Sequence, residues 1–156
     1  MDYVGLYCNS MDFTSAELFL IEKEPKLGAV IRAHGHLDMR PQHSEFESLV
    51  RSIIGQQISV KAAASVYERF STVTELEPNI ITELGEEQIK EIGLSRPKAR
   101  YLIDLAEHFV RDANVFNHLG SLSDEEVIAE LTRVKGIGVW TAQMFLMFTL
   151  RRPDVF

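Results

Sequence analysis

The most informative stretch of this sequence reads LTRVKGIGVWTA and covers residues 131–142. Two glycines, Gly136 and Gly138, flank one apolar residue and allow the backbone to turn sharply and to approach another molecule closely. Gly138 comes just before a predicted helix, where unpaired amides and the helix dipole favour an anion. A DNA phosphate is one such anion, and Lys135 would add a charge-assisted contact. For the two glycines alone, an ordinary turn between helices with a glycine C-cap is the commoner explanation.

The hydrophobic periodicity on both sides of this stretch is helical. Ser123 with Glu126 forms a capping-box pair, and Ser44 with Glu47 forms another. Strand signals are poor, because no convincing period-2 alternation is present. The sequence therefore predicts an all-α bundle of about seven to nine short helices. The helices that the pattern indicates cover residues 44–55, 59–70, 95–110, 123–132 and 139–150, with one after Thr14 and one over 25–34.

The same periodicity predicts which side chains face the core. The last helix is apolar nearly all round, so we expect it to be the central, buried one. In the three longer helices before it, the inward positions are predicted to be Phe46, Leu49, Val50, Ile53 and Ile54; Val60, Ala63, Ala64, Tyr67 and Phe70; and Leu102, Ile103, Ala106, Phe109 and Val110.

The composition limits the class of protein. The chain has 156 residues, 46% of them hydrophobic and 25% charged, as in one ordinary globular domain. Its single cysteine excludes an internal disulfide framework, and no apolar run is long enough to span a membrane. The first residues lack the basic start and apolar core of a signal peptide, so we expect a cytoplasmic protein.

The net charge of −7 argues against a protein that coats nucleic acid through bulk electrostatics. The charges are nevertheless unevenly distributed. One basic patch lies in residues 131–152, which contain arginine and lysine but no carboxylate. A second basic patch covers residues 96–100. An acidic body with local positive patches is compatible with a nucleic-acid site.

Four segments in this order resemble the helix-hairpin-helix (HhH-GPD) DNA glycosylase superfamily, and within it the 3-methyladenine DNA glycosylase II branch. The resemblance extends over about residues 16–156 and implies a single domain over residues 1–156. It also implies a helix-hairpin-helix DNA-binding motif at about 123–150. The segments are VKGIGVWTA (134–142), FESLVRSIIGQQISVKAAASVYERF (46–70), GLSRPKARYL (93–102) and RPDVF (152–156).

The resemblance implies sites for DNA. Residues 134–138 resemble the superfamily's phosphate-binding hairpin, in which the carbonyls of Val134 and Gly136 would hold a sodium or potassium ion; no other cofactor is expected. Gln57, in the turn over residues 54–59, lies at the position that intercalates into the duplex. A polar turn between helices is the alternative for this segment, and a solvated helix start is the alternative at residues 96–98. The DNA-binding residues that the resemblance indicates are Lys135, Gly136, Ile137, Gly138, Thr141, Gln56, Gln57, Arg96 and Lys98.

The resemblance also places a base pocket. Trp140 lies where bifunctional members carry a catalytic lysine, and a tryptophan cannot form a Schiff base. This indicates a monofunctional glycosylase, with the Trp140 indole and Met144 as walls of the base pocket. The alternative for both side chains is a place in the core.

By the same resemblance, a catalytic aspartate is expected just beyond the RPDVF segment, after Phe156. Asp154 belongs to that segment and is expected to be structural, so none of these 156 residues is predicted to be catalytic. The expected function is excision of alkylated bases by nucleotide flipping in base-excision repair. The alternatives are a non-catalytic DNA-binding fragment or module and a helical protein-interaction domain. The expected partner is double-stranded DNA with alkylated bases, and no membrane partner is expected. We expect the protein to act as a monomer, at the nucleoid of a bacterium or in the nucleus of a eukaryote.

Overall fold

A computed structural model describes residues 14–36, 43–152 and 154–156. The chain divides into two compact units, residues 1–41 and 42–156. In the described part of the first unit, two helices contact each other: α1 (Thr14–Lys23) and α2 (Pro25–His34). The single domain over residues 1–156 stays a prediction.

The second unit contains eight α-helices and a 3₁₀ turn among its described residues. They are α3 (Glu45–Gly55), α4 (Val60–Thr74), α5 (Pro78–Glu83), α6 (Glu86–Glu91), α7 (Arg96–Arg111), α8 (Ala113–Phe116), the 3₁₀ turn (Leu119–Ser121), α9 (Asp124–Leu131) and α10 (Val139–Phe148).

The described residues contain no strand, which confirms the all-α prediction. Every helix that the periodicity indicated is present. The periodicity gave no bounds for three further helices, α5, α6 and α8, because helices of four to six residues are too short to show a period. With them the described residues contain ten α-helices, slightly more than the seven to nine predicted. None of the described helices is long and apolar enough to cross a membrane.

Helix α3 forms as its sequence predicts. Ser44 is the N-cap, and its hydroxyl accepts a hydrogen bond of 3.2 Å from the Glu47 amide. The Glu47 carboxylate does not complete a capping box but accepts a hydrogen bond from the Tyr67 hydroxyl at 2.6 Å. All five predicted core residues of this helix are buried. Helix α9, by contrast, begins with a full capping box between Ser123 and Glu126.

The longest helix, α7, occupies the centre of the second unit. It contacts α3, α5, α6 and α8 and buries six residues. Val110 was predicted to face inward but is exposed, because it lies at the edge of the apolar stripe. In α4, Val60 (88% exposed) and Ala64 were also wrongly placed in the core, because α4 contacts α3 along a narrower face than its apolar residues occupy.

The prediction that the last helix is central and buried is wrong. Helix α10 contacts α9 and α3, and only Ala142, Phe145 and Leu146 are buried. Its opposite side exposes large apolar side chains, among them Trp140 and Phe148. A uniformly apolar helix shows no preferred face in its sequence, so the pattern could not reveal that one side is exposed among the described residues.

Candidate nucleic-acid interface

The hairpin, residues 134–138, is anchored by its two apolar side chains. Val134 and Ile137 are both buried, and the Ile137 amide donates a hydrogen bond of 3.1 Å to the Val134 carbonyl. Because the Ile137 side chain points into the core, only its backbone can contact DNA. The hairpin is therefore a tight loop with a fixed backbone and an exposed surface at Lys135, Gly136 and Gly138.

The α10 N-terminus opens directly onto solvent. Gly138 is its N-cap, with an extended backbone and no side chain to occupy the first-turn amides. A Cβ atom at Gly138 would meet nothing within 4 Å. Thr141 lies in the first turn and is half-buried. Free first-turn amides at an open helix terminus, reinforced by the helix dipole, can bind a phosphate.

Lys135 forms a double contact with Asp104 of α7. Its Nζ lies 2.7 Å from Asp104 Oδ1, and its backbone amide donates to Asp104 Oδ2 at 2.8 Å. Burial would raise the pKa of the Asp104 carboxyl, but the hydrogen bonds from Lys135 outweigh that effect and hold the pKa below its usual value. The same hydrogen bond raises the pKa of the Lys135 ammonium. The Lys135 side chain is still 71% exposed, so a charged, oriented donor remains at the hairpin surface.

The α3–α4 turn, residues 56–59, places its two glutamines differently. Gln57 adopts a left-handed backbone with φ +58° and is exposed. Gln56 is half-buried, and its side-chain amide donates a hydrogen bond of 2.8 Å to the Gly136 carbonyl of the hairpin. The structure thus brings the turn and the hairpin together, with Gln57 at the surface and Gln56 between them.

The basic residues at the start of α7 are engaged with the protein. Lys98 Nζ donates to the Ile54 carbonyl at 2.8 Å and to the Gln56 carbonyl at 2.6 Å. Partial burial lowers the pKa of its ammonium. Arg96 forms an exposed ion pair with Glu87 at 2.7 Å. Arg96 therefore stays exposed at the helix start, whereas Lys98 turns its charge toward the end of α3.

Trp140 and Met144 lie one turn apart on α10. Trp140 is 69% exposed, so the alternative of a core tryptophan does not hold. Met144 is half-buried beside it. Most of the indole surface is open to solvent, and the ring lies next to a helix N-terminus that can bind a phosphate. The indole is therefore available to stack on a planar ligand.

The carbonyls named for a monovalent cation already have partners. The Val134 carbonyl accepts from the Ile137 amide, and the Gly136 carbonyl accepts from Gln56. Each oxygen keeps a lone pair that can coordinate a cation, so the site for a monovalent cation stays a prediction. The described residues contain no group of three or more histidine, cysteine or acidic side chains that could hold a metal ion. Asp154, outside the hairpin, is exposed with φ +57°.

Two residues of this site escaped the sequence analysis. Tyr101 lies against Gly136, and Asp104 binds Lys135. Their spacing on a predicted helix indicates a shared face with Lys98, but no motif indicates that this face meets the hairpin.

Comparisons with known proteins agree on one family. The sequence model of "HhH-GPD superfamily base excision DNA repair protein" matches residues 50–155. The DNA-3-methyladenine glycosylase 1 of Schizosaccharomyces pombe is 31% identical over 152 residues, which cover 91% of this chain and 66% of the relative. The chain spans 48% to 71% of the length of three curated relatives that it matches.

Two solved structures have the same fold. The crystal structure of a DNA-3-methyladenine glycosidase from Bacillus halodurans superposes with a TM-score of 0.76 at 33% identity, over 93% of this chain and 69% of that one. The S. pombe 3-methyladenine DNA glycosylase in complex with abasic DNA gives a TM-score of 0.73 at 30% identity, over 91% and 73% of the two chains.

Proposed function

This chain belongs to the HhH-GPD superfamily of base excision DNA repair proteins, and we propose that it acts as a monofunctional DNA N-glycosylase on alkylated bases of the 3-methyladenine type. The observation that carries the proposal is the hydrogen bond between Gln56 and Gly136, which joins the α3–α4 turn to the hairpin at 2.8 Å. The names of the relatives, which are 3-methyladenine glycosylases, support the substrate class.

The hairpin would hold the DNA backbone. The first-turn amides of α10 point at an open surface beside Gly138, and a phosphate bound there gains from the helix dipole. The Lys135 ammonium has three donors and gives one to Asp104. The remaining donors are available for the same phosphate, while Asp104 keeps the side chain in place.

The α3–α4 turn would enter the duplex while the lesion leaves it. Flipping a damaged nucleotide costs a few kcal/mol of unstacking, and less for a weakened pair. Gln57 is exposed in the turn, and its amide can both fill the gap and hydrogen-bond to the orphaned base.

The exposed Trp140 indole would receive the flipped base. An alkylated purine such as 3-methyladenine is electron-poor, and stacking on an indole contributes about 0.5–2 kcal/mol. Because residue 140 is not a lysine, no Schiff base forms there and water is the nucleophile that replaces the base. The proposed reaction also needs a carboxylate that stabilises the developing oxocarbenium ion. Residues 131–152 contain none.

The activity is tested by incubating the protein with methylated duplex DNA and measuring free 3-methyladenine by chromatography. We expect release of the base, with abasic sites that break only under alkali, because no lyase step occurs. The second candidate function is a non-catalytic DNA-binding module, which is favoured because Asp104, the carboxylate that contacts the hairpin, is engaged by Lys135. Salt-sensitive binding without release supports the module. A protein that neither binds the DNA nor releases the base would contradict both functions.

A further inference from the structure

One face of α7 contacts both segments that are proposed to meet DNA, the α3–α4 turn and the hairpin. Lys98, Tyr101 and Asp104 follow each other at intervals of three residues, a spacing that brings side chains onto the same side of a helix. Lys98 binds the carbonyls at the end of α3, and Asp104 binds the hairpin through Lys135. Tyr101, between them, lies against Gly136. The α3–α4 turn and the hairpin therefore both contact the same helix.

Gln56 closes the connection from the other side. Its carbonyl accepts the hydrogen bond from Lys98, and its side-chain amide donates to the Gly136 carbonyl. The path from Lys98 through Gln56 to Gly136 thus runs from α7 to the hairpin by way of the α3–α4 turn. The residue that follows Gln56 is the exposed Gln57.

We propose that Lys98 is a positioning residue, which fixes the α3–α4 turn against the hairpin through Gln56. The turn and the hairpin then meet DNA at one preset separation, so that anchoring a phosphate and inserting Gln57 are parts of the same binding event. This inference rests on the proposed function, and it gives Lys98 and Gln56 a role inside the protein instead of direct contacts with DNA.

The physical basis is the end of α3. The last carbonyls of a helix have no intrahelical partner, and a cation there is favoured by the dipole. Lys98 supplies that cation from a half-buried place, where its two hydrogen bonds are stronger than at an open surface. Without it the turn loses its tie to α7. A misplacement of about 1 Å in a positioning element can reduce a rate 100-fold, so a loosened turn affects function before it affects the fold.

The first experiment uses the DNA-free protein and follows amide hydrogen exchange by mass spectrometry. In Lys98→Met we expect exchange over residues 55–60 to become faster by at least about tenfold, because the variant removes both hydrogen bonds from the charged donor. Lys98→Arg should restore slow exchange, because a guanidinium can also donate to two carbonyls. The matched control is Lys90→Met on α6, which contacts neither segment and should leave exchange over 55–60 unchanged.

The second experiment compares binding to a duplex with a tetrahydrofuran abasic site and to the same duplex intact. The variant Lys98→Met is judged by the ratio of its two affinities, because both duplexes share the same phosphate contacts. Its preference for the abasic duplex should fall by about tenfold, as the turn no longer inserts in register. If Lys98→Met does not fold, Gln56→Leu cuts the same path at its other end, and faster exchange is then expected over residues 134–138.

The outcomes separate the two claims. If the wild-type protein shows no preference for the abasic duplex, the proposed function is contradicted, while the exchange data still decide the role of Lys98. If Lys98→Met keeps both slow exchange over 55–60 and the wild-type preference, the positioning role is overturned. A lower melting temperature with unchanged preference also overturns it, since Lys98 would then be merely structural.

Discussion

The ring of Tyr101 lies so close to Gly136 that a Cβ atom at position 136 would come within 2.3 Å of the Tyr101 Cδ2 atom. Gly136 also has φ +82°, a backbone conformation that side chains with a Cβ rarely adopt. The Tyr101 ring and the backbone angle therefore both require glycine at position 136. Through Tyr101, α7 packs directly against the hairpin.

Gly136→Ala should destabilise the protein. The left-handed backbone alone costs about 1–2 kcal/mol with a Cβ, and the overlap with Tyr101 adds to that, so urea denaturation should show a loss of at least this size. The control is Gly55→Ala, at the end of α3, where a Cβ meets nothing within 4 Å. That variant should be neutral or gain up to about 1 kcal/mol. An undiminished free energy of unfolding for Gly136→Ala would contradict the close contact.

Trp140→Ala should reduce base release without affecting the fold. Because the side chain is 69% exposed, the free energy of unfolding should change by less than about 0.5 kcal/mol. Loss of stacking worth about 0.5–2 kcal/mol lowers kcat/KM by roughly 2- to 30-fold, and Trp140→Phe should recover part of it. Phe148→Ala, also exposed on α10, is the control that keeps wild-type release. Wild-type kcat/KM in Trp140→Ala would refute the stacking role.

Lys135→Met should weaken the dependence of DNA binding on salt. Each phosphate that a lysine neutralises contributes about −0.9 to the slope of log K against log salt concentration. We therefore expect the slope to become shallower by about one unit, measured by fluorescence anisotropy on an intact duplex. The reference variant is Lys90→Met, remote from the hairpin. Equal slopes for wild type and Lys135→Met would mean that Lys135 remains with Asp104 when DNA binds.

Asp104→Asn should change stability on the acid side. The pKa of Asp104 is lowered in the folded protein, so its stabilisation is present above its unfolded pKa of about 3.9 and is lost as the pH falls through the folded pKa. Between pH 5 and about pH 3, the wild-type free energy of unfolding should therefore fall more steeply than that of Asp104→Asn. Urea denaturation at several pH values measures both curves. Parallel curves would show that Asp104 has the same pKa in both states.

The sequence was sufficient where a helix has one apolar face and a clear cap. In α3, the spacing of its five apolar residues and the Ser44 cap correctly predicted the helix and its buried side. The same reasoning failed for α10, because a helix without a polar face carries no information about which side has a neighbour. It also missed α5, α6 and α8, whose few residues are held mainly by tertiary contacts.

The candidate site divides in the same way. Local signals and the family resemblance pointed to the hairpin and to Gln57, and the structure places both on the surface. The partners of Gln56 and Lys98 could not be predicted, because a hydrogen bond such as Gln56 to Gly136 joins residues 80 positions apart. Asp104 was missed for the same reason: a carboxylate on a helix gives no sign in sequence that it binds a loop 31 residues away.

The backbone of Gln57 has a consequence of its own. Its left-handed conformation, φ +58°, is one that glycine adopts freely and a residue with a side chain adopts at a cost of about 1–3 kcal/mol. Position 57 thus carries a long amide side chain, although its backbone conformation favours glycine. A change to glycine would relieve the strain and raise thermal stability while removing the side chain that we propose enters the duplex. Stability and the proposed insertion into the duplex therefore make opposite demands on this one residue.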